Sequence, residues 1–116
     1  MSLQLGWPSV RYPESSAQES EILDQVRSTL QQKREASEPV AAILIEPTNA
    51  QSGHVASANF VRELMKLAGE SEAALIVDEQ GTGCGASGAG FWQNNQAADY
   101  VTFGRRTQVA GYFSKD

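Results

Sequence analysis

Charged side chains fall where two apolar runs and a third strand candidate end. Glu46-Pro47 follows the run Val40–Ile45, Asp78-Glu79 follows Ala73–Val77, and Gly104-Arg105-Arg106 follows Asp99–Phe103. If the runs are parallel strands, these ends meet on one rim, which is where open parallel sheets bind ligands. Other chemical signals are weaker. Gly83-Cys84-Gly85-Ala86-Ser87-Gly88 matches the dinucleotide pattern G-x-G-x-x-G. It does not sit directly at a strand end and no convincing helix opens within it, so it reads first as a glycine-rich loop. A Walker motif is excluded because no Gly-Lys-Ser/Thr occurs, and Gly85-Ala86-Ser87-Gly88-Ala89 misses the hydrolase elbow at its last residue. His54 is the single histidine, expected to be solvated or bonded to backbone. Cys84 is the single cysteine, with nothing nearby to lower its pKa. Neither supplies a triad or a metal site, and no metal is expected.

The elements that must position these residues can be read from periodicity. Gly6-Trp7-Pro8 to Tyr12-Pro13 is extended, because two prolines forbid a helix interior. Ser16 and Glu19 have capping-box spacing, and Ile22, Val26 and Leu30 recur every four residues, which predicts a helix with a solvated outer face. The run Gln31-Gln32-Lys33-Arg34 puts positive charge toward the C-terminal end, where the helix dipole favours it. Val40–Ile45 is an unbroken apolar run between Pro39 and Pro47, which reads as a strand buried on both faces. A polar loop leads to a second helix near Ser57, with Phe60, Val61, Leu64 and Leu67 on one stripe and a stop around Gly69. Ala73–Val77 and Asp99–Phe103 are further strands, with a short helical segment from Phe91 to Ala98 between them. Alternation of this kind implies an α/β fold with parallel strands and right-handed crossovers.

Composition bounds the rest. The 116 residues read as one domain over 1–116, with no repeat or linker to divide them. The net charge of −5 argues against nucleic acid and anionic membranes as partners. The longest apolar run is too short to cross a bilayer, and Met1-Ser2-Leu3-Gln4 lacks the blocks of a signal peptide. One cysteine makes no internal disulfide, so an intracellular, cytoplasmic setting is the default.

Three motifs in register carry a family resemblance. Strand–Glu46-Pro47, strand–Asp78-Glu79-Gln80-Gly81-Thr82-Gly83 and Thr102-Phe103-Gly104-Arg105-Arg106-Thr107-Gln108 together resemble the class III aminotransferases, of the 4-aminobutyrate and L-lysine 6-aminotransferase type. The resemblance covers nearly the whole chain. It implies a partial three-layer parallel sheet with helical crossovers, a segment of the fold-type-I pyridoxal-phosphate-dependent transferase large domain. It also implies pyridoxal phosphate as cofactor and amino transfer from an ω-amino group to a 2-oxo acid as the ancestral reaction. Asp78 is then the carboxylate that pairs with the pyridine nitrogen and favours the protonated ring. Without the resemblance, it reads equally as a solvated loop aspartate or a cap. Glu46 and Gln51 fall on the substrate loop, where Glu46 is equally a structural strand-end carboxylate.

The departures from the family pattern decide the functional expectation. The family's second loop glutamate is Gln51 here, so a negative charge is gone. The apolar residue under the ring is Gln80, and the glutamine at the cofactor's phenolic oxygen is Gly81. The lysine that bonds the cofactor aldehyde falls at Arg105, with Arg106 beside it. A guanidinium with a pKa above about 12 stays protonated and is no nucleophile. Arg105 can still attract a phosphate or carboxylate, or stand as one of two surface arginines. The resemblance therefore implies a truncated chain, catalytically inactive alone. Two other readings stand beside it. One is an interaction module that self-associates or pairs with a full-length aminotransferase. The other is a nucleotide-binding α/β module using Gly83–Gly88.

Overall fold

A computed structural model describes residues 7–49, 52–79, 98–104 and 111–114. The extended segment from Trp7 leads into helix α1 (Ser16–Glu35). Strand β1 (Ala42–Ile45), helix α2 (Ala58–Glu70) and strand β2 (Ala74–Asp78) follow. Strands β3 (Tyr100–Phe103) and β4 (Gly111–Ser114) complete the described elements. The described strands form one sheet in the order β1-β2-β3-β4. β1, β2 and β3 are parallel, in a register that sets Ile45 beside Val77 and Val77 beside Val101. The predicted parallel α/β arrangement is present, with α2 as the crossover from β1 to β2. β4 runs antiparallel to β3, which makes the described sheet mixed. The segment 91–97, expected to be helical, lies outside the described residues.

The strand period of two explains the core. Ile45, Leu75 and Val77 are buried with Ile22, Phe60, Leu64, Ala68 and Ala98, and Ile43 and Val101 pack against them. The register puts these strand residues on one face, under α1 and α2. Ala42, Leu44, Ile76, Asp78, Tyr100 and Thr102 share the other face. Among the described residues that face carries no helix. Leu44 is therefore 58% exposed. The expectation that the first strand is buried on both faces is corrected accordingly: an unbroken apolar run reports hydrophobicity, and only packing decides how many faces are covered. Full burial of each core side chain contributes roughly 1.5–3 kcal/mol.

The helix ends also differ from their sequence signals. Ser15, not Ser16, is the N-cap of α1, and its side chain makes no capping bond. Gln18 Oε1 instead accepts from the Glu14 amide, and Glu19 is drawn away to α2. Ser57 caps α2 as its type suggests, its Oγ accepting from the Phe60 amide at 3.0 Å. α2 ends at Glu70, around Gly69 as expected, but Glu72 and not the glycine takes the left-handed turn, at φ 56°. Ala73 donates to the Ala68 carbonyl and Glu72 to that of Gly69, the double closure of a Schellman motif. α1 ends in the same way, with Ser37 at φ 60°, Glu38 donating to Lys33 and Ser37 to Arg34. Arg34 then reaches the Glu70 carbonyl at 3.2 Å, joining the two helix ends.

Both left-handed positions hold residues with a Cβ, which is unfavourable there by about 1–2 kcal/mol, partly offset by the entropy that glycine loses on folding. Ser37→Gly and Glu72→Gly are each expected to stabilise the chain by roughly 0.5–1 kcal/mol, read as a higher urea midpoint at unchanged slope.

Candidate functional site

The parallel register brings the strand ends onto one rim. Ile45, Val77 and Val101 stand side by side, so Glu46, Asp78 and Thr102 follow them in line. Asp78 is half-buried on the helix-free face, and its Oδ1 accepts a hydrogen bond from Thr102 Oγ1 at 2.8 Å. Thr102 thereby restricts the Asp78 rotamer from the neighbouring strand. Glu79, one residue on, is turned to the covered side and buried, and its amide donates to the Thr102 carbonyl. Gly104 is buried at the end of β3. Asp99 works at the opposite end of the sheet, pairing its backbone and carboxylate with Leu75.

Glu46 is exposed at the end of β1 and begins the segment that runs to the cap of α2. Thr48 and Val55 pair antiparallel within it, and Gly53 takes φ 74° to close the turn. Tyr12 Oη donates to the carbonyls of Glu46 at 2.8 Å and Pro47 at 3.1 Å. Burial, with the charges of Glu19 and Glu46, pushes the Tyr12 hydroxyl up to about 12, so it remains a donor.

A buried polar cluster lies behind this segment. Glu19 Oε2 accepts from Ser57 Oγ at 2.7 Å, and Oε1 accepts from the Ser57 amide at 3.0 Å. His54 Nε2 stands 3.2 Å from Oε1. An ionised carboxylate only accepts, so His54 must carry its proton on Nε2. Burial alone would raise the Glu19 pKa, but the bonds from Ser57 and His54 outweigh it and hold the carboxyl below its ordinary value of 4.5. The expectation of a solvated or backbone-bonded His54 is thus corrected. Its ring is largely enclosed, edge-on to Tyr12 at 6.4 Å, and bonded to a carboxylate.

Of the residues singled out from sequence, Glu46 and Asp78 come together on the rim with Gly104. Gln51, Gln80, Gly81 and Arg105 lie outside the described residues, as do Arg106, Cys84 and Gly83–Gly88. Among the described residues, no group of three His, Cys, Asp or Glu side chains could hold a metal ion. No helix among them is long and apolar enough to cross a membrane. Sequence reasoning missed the Thr102–Asp78 bond and the Glu19 cluster. A signal for the second was present: Glu19 falls on the stripe of Ile22, Val26 and Leu30, at a position facing the core.

Comparison with known proteins agrees with the motifs. The family model "Aminotransferase class-III" matches residues 2–116. The 4-aminobutyrate aminotransferase of Emericella nidulans is 34% identical over 95% of this chain and 24% of its own length. The mitochondrial 4-aminobutyrate aminotransferase of Homo sapiens is 30% identical, with the same coverage. The structure of the lysine aminotransferase from M. tuberculosis superposes with a TM-score of 0.73 at 30% identity, over 95% of this chain and 25% of that one. The chain thus spans about a quarter of the length of the relatives it matches.

The depressed Glu19 pKa has a stability consequence. A carboxylate bonded in the folded state contributes stability that is full above its unfolded value and is lost as pH falls through its folded value. Glu19→Gln is expected to lower stability by roughly 1–3 kcal/mol at pH 7, the range for hydrogen bonds to a charged group. Urea denaturation of wild type and variant should show that difference narrowing below pH 4.5.

Proposed function

The chain belongs to the class-III aminotransferase family, and we propose that it is an aminotransferase-like segment that keeps a pyridoxal-phosphate cradle without the chemistry of amino transfer. The observation behind this is Asp78. It stands at the carboxyl end of a central strand, on the helix-free face, with Thr102 fixing its carboxylate. That placement suits pairing with a protonated pyridine nitrogen. When bound, pyridoxal phosphate supplies the electron sink for amino-group transfer. The Asp78 carboxylate suits the ring nitrogen of that group, and by the family resemblance Arg105 would offer charge to the phosphate. No amine is offered to the aldehyde, since Arg105 takes the place of the family lysine and a guanidinium does not give up its proton near neutral pH. Gln80 and Gly81 would line the ring, and Glu46 with Gln51 would face the substrate, Gln51 without the charge a glutamate brings. A single cysteine accords with an intracellular setting.

A titration with pyridoxal phosphate, followed by absorbance, borohydride reduction and mass spectrometry, tests this reading. Saturable binding with no reduced adduct is the expected result, and Asp78→Asn should weaken it about tenfold, or 1.4 kcal/mol. Transaminase turnover by the chain alone, or a reduced adduct on one specific lysine, would refute the loss of chemistry.

A second reading has its own observation. Among the described residues, β1 pairs on one side only, with β2, and Leu44 is 58% exposed. An apolar cavity of about 850 Å³ flanks it, lined by Val10, Ile22, Val26, Leu30 and Ile43 among others. An unblocked apolar edge favours strand addition. On this reading the chain self-associates or pairs with a full-length aminotransferase through β1. Sedimentation across a wide concentration range should then show a larger species that Leu44→Lys disperses; a strict monomer that captures no full-length aminotransferase would remove the idea.

A further inference from the structure

The rim segment carrying Glu46 is held by residues outside it. Its own backbone bonds give it shape: Asn49 donates to the His54 carbonyl, Gly53 to Asn49, and Ala56 to Pro47. Those bonds travel with the segment and do not set its direction relative to the sheet. Direction comes from two anchors. Tyr12, on the extended segment before α1, donates to the first two carbonyls of the segment. Glu19, on α1, takes the amide and hydroxyl of Ser57 at the other end. His54 links the anchors, its ring edge-on to Tyr12 and its Nε2 on Glu19.

The anchors are costly to remove because they are enclosed. Glu19 and Pro47 are buried, and Tyr12 is half-buried. Loss of the Glu19 carboxylate leaves the Ser57 amide, the Ser57 hydroxyl and the His54 ring proton without their acceptor. Capping α2 does not itself require Glu19, since Ser57 Oγ already accepts from Phe60. The carboxylate does a separate job, fastening that capped end to α1.

We propose that Glu19 and Tyr12 are positioning residues, which hold residues 46–49 and 52–57 from behind and so set where Glu46 stands on the rim. This rests on the reading of the rim as a ligand site, and its test separates the two. Amide hydrogen exchange and pyridoxal-phosphate titration are measured for wild type, Tyr12→Phe, Glu19→Gln and Glu19→Ala. Tyr12→Phe keeps the ring on His54 and removes only the hydroxyl. Glu19→Gln keeps an acceptor for Ser57 and His54, and should recover part of the effect.

Exchange at the Asn49, Gly53 and Ala56 amides should rise about tenfold or more in Tyr12→Phe and Glu19→Ala, while the strand amides of Ala74 and Glu79 stay within about twofold. Glu19→Gln should fall between. Uniform acceleration that includes the strands would make both residues general stabilisers and overturn the proposal. Unchanged exchange would overturn it as well. If wild type binds no pyridoxal phosphate, the ligand-site reading fails. The exchange pattern then decides the fastening alone, a selective rise supporting it and a uniform one refuting it. Should Glu19→Ala not fold, Tyr12→Phe and Glu19→Gln carry the comparison.

Discussion

The carboxylate of Glu19 is the point on which the described structure turns. A buried charge is tolerated only where hydrogen bonds replace the lost water. Here they come from Ser57 and His54. The location adds to this, because the N-terminus of α2 presents unpaired amides and a partial positive charge to an anion. One interaction thereby joins α1 to α2, fixes the end of the rim segment and fills the anion position of the longer-range crossover helix. Tyr12 depends on the same cluster through His54, so even the extended segment before α1 is tied to it.

Asp78 owes its position to a different constraint, the two-residue period of β2. Leu75, Val77 and Glu79 alternate toward the helices, and Ile76 and Asp78 toward the open face. The apolar pair that anchors the core therefore dictates that Asp78 leaves the sheet on the uncovered side. The parallel register then supplies Thr102 as its neighbour. The packed face and the placement of the Asp78 carboxylate on the other are consequences of one alternation, and moving the strand by a single residue would exchange them.

What was legible in the sequence follows from how local its physics is. α2 could be read because Ser57, Phe60, Leu64 and Leu67 state both its cap and its buried face. The parallel strands and their common rim followed from alternation and from where the charges lie. β1 was over-read, since an apolar run cannot report that helices cover one side only. β4 gave no signal: Gly111–Ser114 has two aromatic residues in four, too short for a period, and it forms because β3 offers it a ladder. Glu19 was read as a local capping partner, when its carboxylate is claimed by a residue 38 positions away. Glu72 and Ser37 took turns that glycine usually takes, because the Schellman closures there outweigh the Cβ penalty. The rim positions of Asp78 and Glu46 are legible from type and place, while the Thr102 contact requires the register.

If Arg105 stands where the family pattern has its lysine, as the resemblance implies, two properties that one residue combines there are separated. Both side chains are cationic near neutral pH, so the exchange keeps the sign of the charge. Only lysine can shed its proton in a tuned site and attack a carbonyl. On the proposed reading, arginine at that position and Asp78 at the end of β2 would keep charges suited to the phosphate and to the ring nitrogen, without an amine for the aldehyde. Binding and chemistry are then independent questions for this rim, and the geometry of Asp78, Thr102 and the fastened Glu46 segment bears on binding.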